Sequence, residues 1–378
     1  MKNQFSVALL SFIFLFLSCK KEQPQTTVAE KTENSIRHAK GLEIYNYNGY
    51  SVVKVKHPWP KSENGFTYIL KEKNGIVPDS LQKYTTVSVP VQSIIVTSTT
   101  HIPSLEMLGV ENTLVGFPHT DFISSEKTRA LIDAGKVKNL GQNESINTEV
   151  AIDLSPEVIV GFSIDSNNKT FNNLEKAGMK ILYNGDWTEQ TPLGKSEWIK
   201  FFGALYGKNK EAEEVFKKIE KDYTDAVVLA QKATNRPTAL SGGMYQDTWN
   251  LPQGDSWAAL FLRDANIHYL WKDTKGIGSL ALSFEKVLEK AQNAEYWFGP
   301  GQFSTLKELL DSNPHYAQFK AFKNKNVYSF TTKTGAKGGV IYYEQAANRP
   351  DLVLKDLIKI TNPEVLPDYQ LYFFQKLK

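Results

Sequence analysis

One stretch, KNKEAEEVFKKIEKDYTDAVVLAQKA from Lys208 to Ala233, limits the possible folds of this chain more than any other. It consists almost wholly of helix formers, and Ala212, Val215, Phe216, Ile219 and Tyr223 recur along one face. As a single helix, its 26 residues would extend about 39 Å. That is long for a helix packed inside one small domain and suits a strut between two. Both flanks alternate helices with short, continuously apolar strands. Before the strut come IIVTSTTHIPSLEMLGV, NTLVGFPHTD, SEKTRALIDAGKV and FNNLEKAGMKILYNGDW; after it come TALSGGMY, SWAALFLRDAN, HYLW and AFKNKNVYSF. Such alternation predicts parallel sheets covered on both faces. The expected fold class is α/β, with two Rossmann-like lobes at residues 92–190 and 235–378 and an interlobe helix within 191–234.

The amino end reads differently. Lys2, an apolar run from Phe5 to Leu17, and then Ser18-Cys19-Lys20-Lys21 form a secretory signal pattern, with residues 1–18 as the signal peptide. Cys19 is the sole cysteine, so no internal disulfide can form. Residues 19–41 are polar and read as a flexible tether. Residues 42–91 alternate large apolar and polar positions around Asn48-Gly49 and Asn74-Gly75, which predicts an extension of antiparallel β-hairpins. The net charge of +3, from 44 basic and 41 acidic residues, gives no bulk bias toward nucleic acid, and none is expected as a partner.

The two α/β flanks repeat one phrase. NTEVAIDLSPEVIVGF begins at Asn147 and SFEKVLEKAQNAEYWFG at Ser283, each opening with an N-cap residue followed two positions later by Glu149 or Glu285. An acid in the first turn of a helix favours the helix dipole and needs no partner. Two such acids at corresponding points of two rigid bodies could also be read by a partner with two basic sockets.

The chain resembles the periplasmic substrate-binding proteins of ABC importers for iron–siderophore complexes, haem and cobalamin. The resemblance runs from Val91 to the carboxyl terminus, over TSTTHIPSLEMLG, LVGF, GQNESINTEVAIDLSPEVIV, LEKAGMKILY, the long helix and LSFEKVLEKAQNAEYWF. It implies two lobes joined by a single helix, and docking of Glu149 and Glu285 on arginines of an ABC permease. Leu15-Phe16-Leu17-Ser18-Cys19 resembles a bacterial lipobox, which implies acylation of Cys19 and a periplasmic monomer lipid-anchored to a bacterial envelope membrane. The ligand implied is a ferric siderophore or haem, with cobalamin as the alternative, and no resident cofactor or metal.

Ligands of parallel α/β sheets bind beyond the carboxyl ends of the strands. The residues expected there are Ser98, Thr99, His101, His119, Phe162 and Trp187 in the first lobe, and Tyr245, Trp249 and Trp271 in the second. Tyr245, Trp249 and Trp187 stand out because each neighbours Gly, Asp or Asn rather than an apolar run. Lys333, Lys337 and Arg349 are candidate cations for an anionic siderophore, and His101 and His119 could ligate haem iron or pack as ordinary loop histidines. Gly276-Ile277-Gly278-Ser279-Leu280-Ala281 mimics a dinucleotide fingerprint but follows a charged loop rather than a strand. An envelope hydrolase would need a nucleophile; Ser98 with His101 is the nearest pair, without an orienting acid, and no catalytic residue is assigned. A surface adhesion module would use the hairpin extension as its partner face.

Overall fold

Asn48-Gly49 turns the chain between strands β1 (Leu42–Tyr47) and β2 (Tyr50–Val55), with Gly49 at φ +82°. That conformation is costly for any residue with a Cβ. The computed structural model describes residues 32–143 and 145–378, so Cys19, the signal pattern and the tether up to residue 31 lie outside the described residues. β2 pairs antiparallel with β3 (Phe66–Glu72), as expected. β3 then pairs parallel with β4 (Thr85–Val89), which corrects the expectation of a second hairpin at Asn74-Gly75. Gly75 packs against the first turn instead, where a Cβ would lie 1.8 Å from the Gly49 carbonyl oxygen.

This four-stranded sheet is not a separate module. Leu42, Ile44, Val53, Val55, Tyr68 and Val87 share one buried cluster with Ile94, Val96, Leu105 and Val158. The Tyr68 hydroxyl also accepts the backbone N–H of Tyr183 at 2.9 Å. The end of the expected tether is equally committed. Glu197, fully buried, accepts backbone N–H groups of Arg37 at 3.0 Å, His38 at 2.6 Å and Ala39 at 2.9 Å. Glu189 accepts those of Lys40 at 3.0 Å and Gly41 at 2.8 Å. Two buried carboxylates thus strap residues 37–41 to the lobe, so a leash running to residue 41 is corrected to an ordered segment from residue 32 onward.

The first lobe runs through β5 (Ile94–Val96), α1 (His101–Met107), β6 (Leu114–Phe117), α2 (Glu126–Asp133), β7 (Lys138–Asn139) and the hairpin β8 (Gly141–Gln142) and β9 (Ser145–Ile146). It continues with α3 (Thr148–Asp153), β10 (Val158–Gly161), α4 (Lys169–Lys176) and β11 (Ile181–Tyr183). Its parallel sheet has the order β11-β10-β5-β6-β7.

The expected interlobe segment breaks into α5 (Pro192–Ser196), α6 (Ile199–Leu205) and α7 (Asn209–Ala230). Gly207, at φ +63°, separates the last two. Only α7 is the strut, its 22 residues spanning about 33 Å. Its Ala212 and Phe216 belong to the first-lobe core, and its Tyr223, Ala226 and Ala230 to the second-lobe core.

The second lobe comprises β12 (Thr238–Ser241), β13 (Gly243–Tyr245), β14 (Thr248–Pro252), α8 (Trp257–Asp264), β15 (His268–Tyr269), β16 (Ser279–Leu282), α9 (Phe284–Ala291) and β17 (Tyr296–Phe298). α10 (Leu306–Ser312), α11 (Lys320–Lys323), β18 (Val327–Ser329), α12 (Ile341–Gln345), α13 (Pro350–Thr361) and β19 (Gln375–Lys376) complete it. The main sheet is ordered β15-β12-β17-β18-β19, parallel except for β19. Counted by appearance within each five-stranded sheet, β7-β6-β5-β10-β11 reads 3-2-1-4-5 and β15-β12-β17-β18-β19 reads 2-1-3-4-5; both are doubly wound arrangements, and in both the first strand lies between the second and a later one. β13, β14 and β16 form a separate antiparallel sheet. The dinucleotide-like glycines lead into β16 and lie in no strand-to-helix turn.

Candidate ligand cleft

The carboxyl ends of the parallel strands deliver loops from both lobes to one cavity of about 510 Å³, a size ordinary for a small-molecule site. The first lobe contributes Thr100, Asp186, Trp187 and Lys195. The second contributes Leu251, Pro252, Trp257, Ile277, Phe330, Tyr342 and Tyr343, so the walls are mainly apolar and aromatic.

The polar floor is a connected set. Asp186 is buried, and its Oδ2 accepts the Thr100 hydroxyl at 2.7 Å. Since Thr100 gives its proton to Asp186, the 2.9 Å contact between Ser98 and Thr100 has Ser98 as donor. The Lys195 ammonium donates to the carbonyls of Asp186 at 3.2 Å and Trp187 at 2.9 Å, and lies 5.2 Å from the centre of the Trp257 ring. Burial pushes the Lys195 pKa down, against the opposing pull of the Asp186 and Glu189 carboxylates.

A second hollow of about 450 Å³ lies at the strand ends of the first lobe, lined by Ser98, Thr99, His119, Phe122 and Phe162 among others. Phe162 meets Trp187 edge-on at 5.3 Å, which puts one aromatic pair across the two hollows. The Trp187 Nε1–H is buried and has no partner among the described residues.

Five expected site residues therefore converge: Ser98, Thr99, His119 and Phe162 in the smaller hollow, and Trp187 in the main cavity. The others lie elsewhere. His101 begins α1 but turns inward, 1% exposed and 5.5 Å from Phe202, with neither ring nitrogen partnered among the described residues. Burial lowers its pKa to about 4, so it is a neutral core residue, and the imagined pairing with Ser98 does not form. Trp249 is fully buried among Trp297, Tyr316 and Phe319. Trp271 is buried beside Tyr269. Tyr245 is 72% exposed on β13 and lines neither hollow. Lys333 donates to the Leu371 and Tyr372 carbonyls at 2.9 and 2.6 Å, and Arg349 grips Asp351 with two bonds of 2.9 and 2.8 Å. Lys337 is exposed on its loop. None of these three cations lines the hollows.

Sequence reasoning missed Asp186, Lys195, Trp257 and the Tyr342-Tyr343 pair. Asp186 sits next to Trp187, in the loop that follows β11. Trp257 is signalled by Ser256, which caps α8 by accepting the Ala259 N–H just beyond the end of β14. Lys195 carries no signal in the sequence, because only the fold brings α5 beneath the cavity.

The lobes also touch directly. Glu344 of α12 accepts backbone N–H groups of Ser124 and Ser125 at 2.5 and 3.1 Å, and is 1% exposed. Asn348 accepts the Ser104 hydroxyl at 2.9 Å and donates to the Thr100 carbonyl at 2.7 Å. A Cβ on Gly339 would lie 2.2 Å from the Phe122 carbonyl oxygen, so the two backbones are in contact here. Burial, aided by the nearby Glu106 carboxylate, pushes Glu344 up to about 7 even though its N–H donors pull the other way.

Glu149 and Glu285 are both exposed, in the first turns of α3 and α9, behind Asn147 and Ser283 as side-chain caps. α3 leads into β10 and α9 into β17, in each sheet the strand that flanks the first strand on the side away from the second. Each connection is too short for anything but an antiparallel return, so both helix N-termini stand at the carboxyl ends of the strands, on the cleft side. Among the described residues, no group of three or more His, Cys, Asp and Glu side chains could hold a metal ion, and no helix is long and apolar enough to cross a membrane.

Comparison with known proteins agrees with this geometry. The chain is 26% identical over 372 residues to Uncharacterized lipoprotein MJ0878 of Methanocaldococcus jannaschii, covering 92% of this chain and 87% of that one. The periplasmic haem-binding protein of Pseudomonas aeruginosa superposes with a TM-score of 0.57 at 16% identity, covering 76% of this chain and 98% of that one. The periplasmic vitamin B12-binding protein BtuF of Vibrio cholerae gives 0.52 at 13% identity, covering 73% and 98%. Two doubly wound lobes on a single strut are the class III binding-protein fold, and the family model for periplasmic binding proteins matches residues 94–334, so the chain belongs to the periplasmic binding protein family.

Proposed function

We propose that the chain is the lipid-anchored substrate-binding protein of an ABC importer, capturing a metal chelate between its lobes and delivering it to the permease. The observation that carries this reading is the aromatic cavity of about 510 Å³ walled by both lobes. A broad organic chelate needs flat apolar contact and a few polar anchors; Trp187, Trp257, Tyr342 and Phe330 supply the first, and Asp186, Thr100 and Lys195 the second. Solved structures of the same fold are named for haem and vitamin B12. The lipobox-like run ending at Cys19, together with relatives named as lipoproteins, supports a lipid anchor at the envelope membrane. Two tryptophans in the cavity wall make intrinsic fluorescence the direct test: titration with ferric siderophores, haemin and cyanocobalamin should give a saturable change with at least one. No saturable change with any of them refutes ligand capture.

Glu149 and Glu285 are the proposed permease contacts, as matched acids on the cleft-side ends of equivalent helices. Replacing both by Ala should leave ligand affinity intact and abolish uptake in cells; unchanged uptake by the double variant rules out this role.

A further inference from the structure

We infer that the cleft selects a chelate carrying no net negative charge, such as a neutral ferric hydroxamate or an amide-rimmed corrinoid, over a catecholate or a porphyrin dicarboxylate. The inference rests on the ligand-capture reading above. Its basis is the charge inventory of the two hollows. Asp186 and Lys195 are the charged residues among the described lining of the main cavity. Lys195 spends two donors on backbone carbonyls and faces the Trp257 ring with the remainder. Its charge is offset by Asp186 and, behind it, by buried Glu189. The floor thus holds one cation against two carboxylates.

Beside its aromatics and the His119 imidazole, the smaller hollow adds only uncharged polar groups: the hydroxyls of Thr97, Ser98 and Thr99 and the amides of Gln142 and Asn143. Of the three candidate cations, Lys333 and Arg349 are already committed to carbonyls and to Asp351, and Lys337 is exposed on its loop and lines neither hollow. An anion brought into these apolar walls would lose its hydration without gaining a counter-charge, which is costly. A neutral ligand bearing amides or hydroxyls loses less and finds matched partners. The buried Trp187 Nε1–H is an unspent donor, and Asp186 Oδ1 has no hydrogen-bond donor among the described residues.

The test is a set of parallel fluorescence titrations of the full chain near neutral pH with four probes: ferrichrome and cyanocobalamin as neutral chelates, ferric enterobactin and haemin as anions. A neutral probe should bind roughly tenfold tighter or more than either anion, and its affinity should not change with ionic strength. Asn250→Lys places a cation on an exposed cavity-lining position of β14. It should shift the preference between anionic and neutral probes about tenfold toward the anions, and a ratio that does not move counts against the charge inference. Anionic probes that bind wild type as tightly as the neutral ones overturn the charge inference alone. Absence of saturable binding for all four overturns ligand capture itself, and this inference with it.

Discussion

His101 lies in the first turn of α1, against Phe202, with no partner for either ring nitrogen among the described residues. Burial lowers its pKa from 6.5 to about 4, so the folded state holds the neutral ring. The stability this confers is fully present above pH 6.5 and is lost as pH falls toward 4. His101→Leu should therefore show a smaller drop in melting temperature across that window than wild type, read by circular dichroism; parallel drops would remove His101 as a source of the acid sensitivity. The same residue shows where sequence reading stops. A histidine after a strand end can turn out to the cleft or in to the core, and helix phase decides. Trp187 and Trp249 pose the same problem, since each neighbours Asp or Asn. Trp187 reaches the cavity from the middle of a short helical turn, Asp186–Thr188, while Trp249 sits on a strand that packs its ring onto Trp297. The loops that build the cleft were legible from the strand pattern, but the direction of each side chain was not.

At the scale of elements, α7 is the joint between two cores. Phe216 is fully buried in the first and Ala226 in the second. Phe216→Ala should cost about 3–5 kcal/mol. Because one helix serves both cores, chemical denaturation should report the same lowered midpoint for fluorophores in either lobe; separate transitions would show the strut to be a passive link. The helix-forming run from Lys208 was visible in the sequence, yet nothing there showed that the residues before it are pinned to the first lobe, where the buried Glu197 holds the backbone of residues 37–39. α12 makes the second joint. In the interlobe contact the Glu344 carboxyl rises from 4.5 to about 7, so the contact favours the protonated form. The lobes should hold most firmly below pH 4.5 and loosen as pH rises through 7. Glu344→Gln removes that dependence while keeping an oxygen acceptor for one of the two N–H groups, which Ser124 and Ser125 donate to different carboxylate oxygens. A distance probe with one label on each lobe, followed from pH 4.5 to 7, distinguishes the two proteins; identical profiles would place the pH response elsewhere.

For the whole molecule, equivalent strand placement explains why the phrase around Glu149 returns around Glu285: each lies on the helix leading into the strand beside the first strand of its sheet, opposite the second. That symmetry was readable because it is written in short local patterns. The role of the extension was not, since strand alternation shows that a face is buried but not against what. Val53, Val55 and Tyr68 bury that face in the first-lobe core, so a chain starting at Gln92 should fail to give a cooperative melt; a stable truncated protein would show the sheet to be dispensable. The strap at residues 37–41 has a mechanical meaning as well. Its grip comes from Glu197 and Glu189 of the first lobe, and Arg37 and His38 add bonds to Glu220 of α7. A pull on the chain upstream of residue 32 is therefore borne first by that lobe and the strut. Tethered by its amino end, the molecule would hang from one half and leave the other to follow.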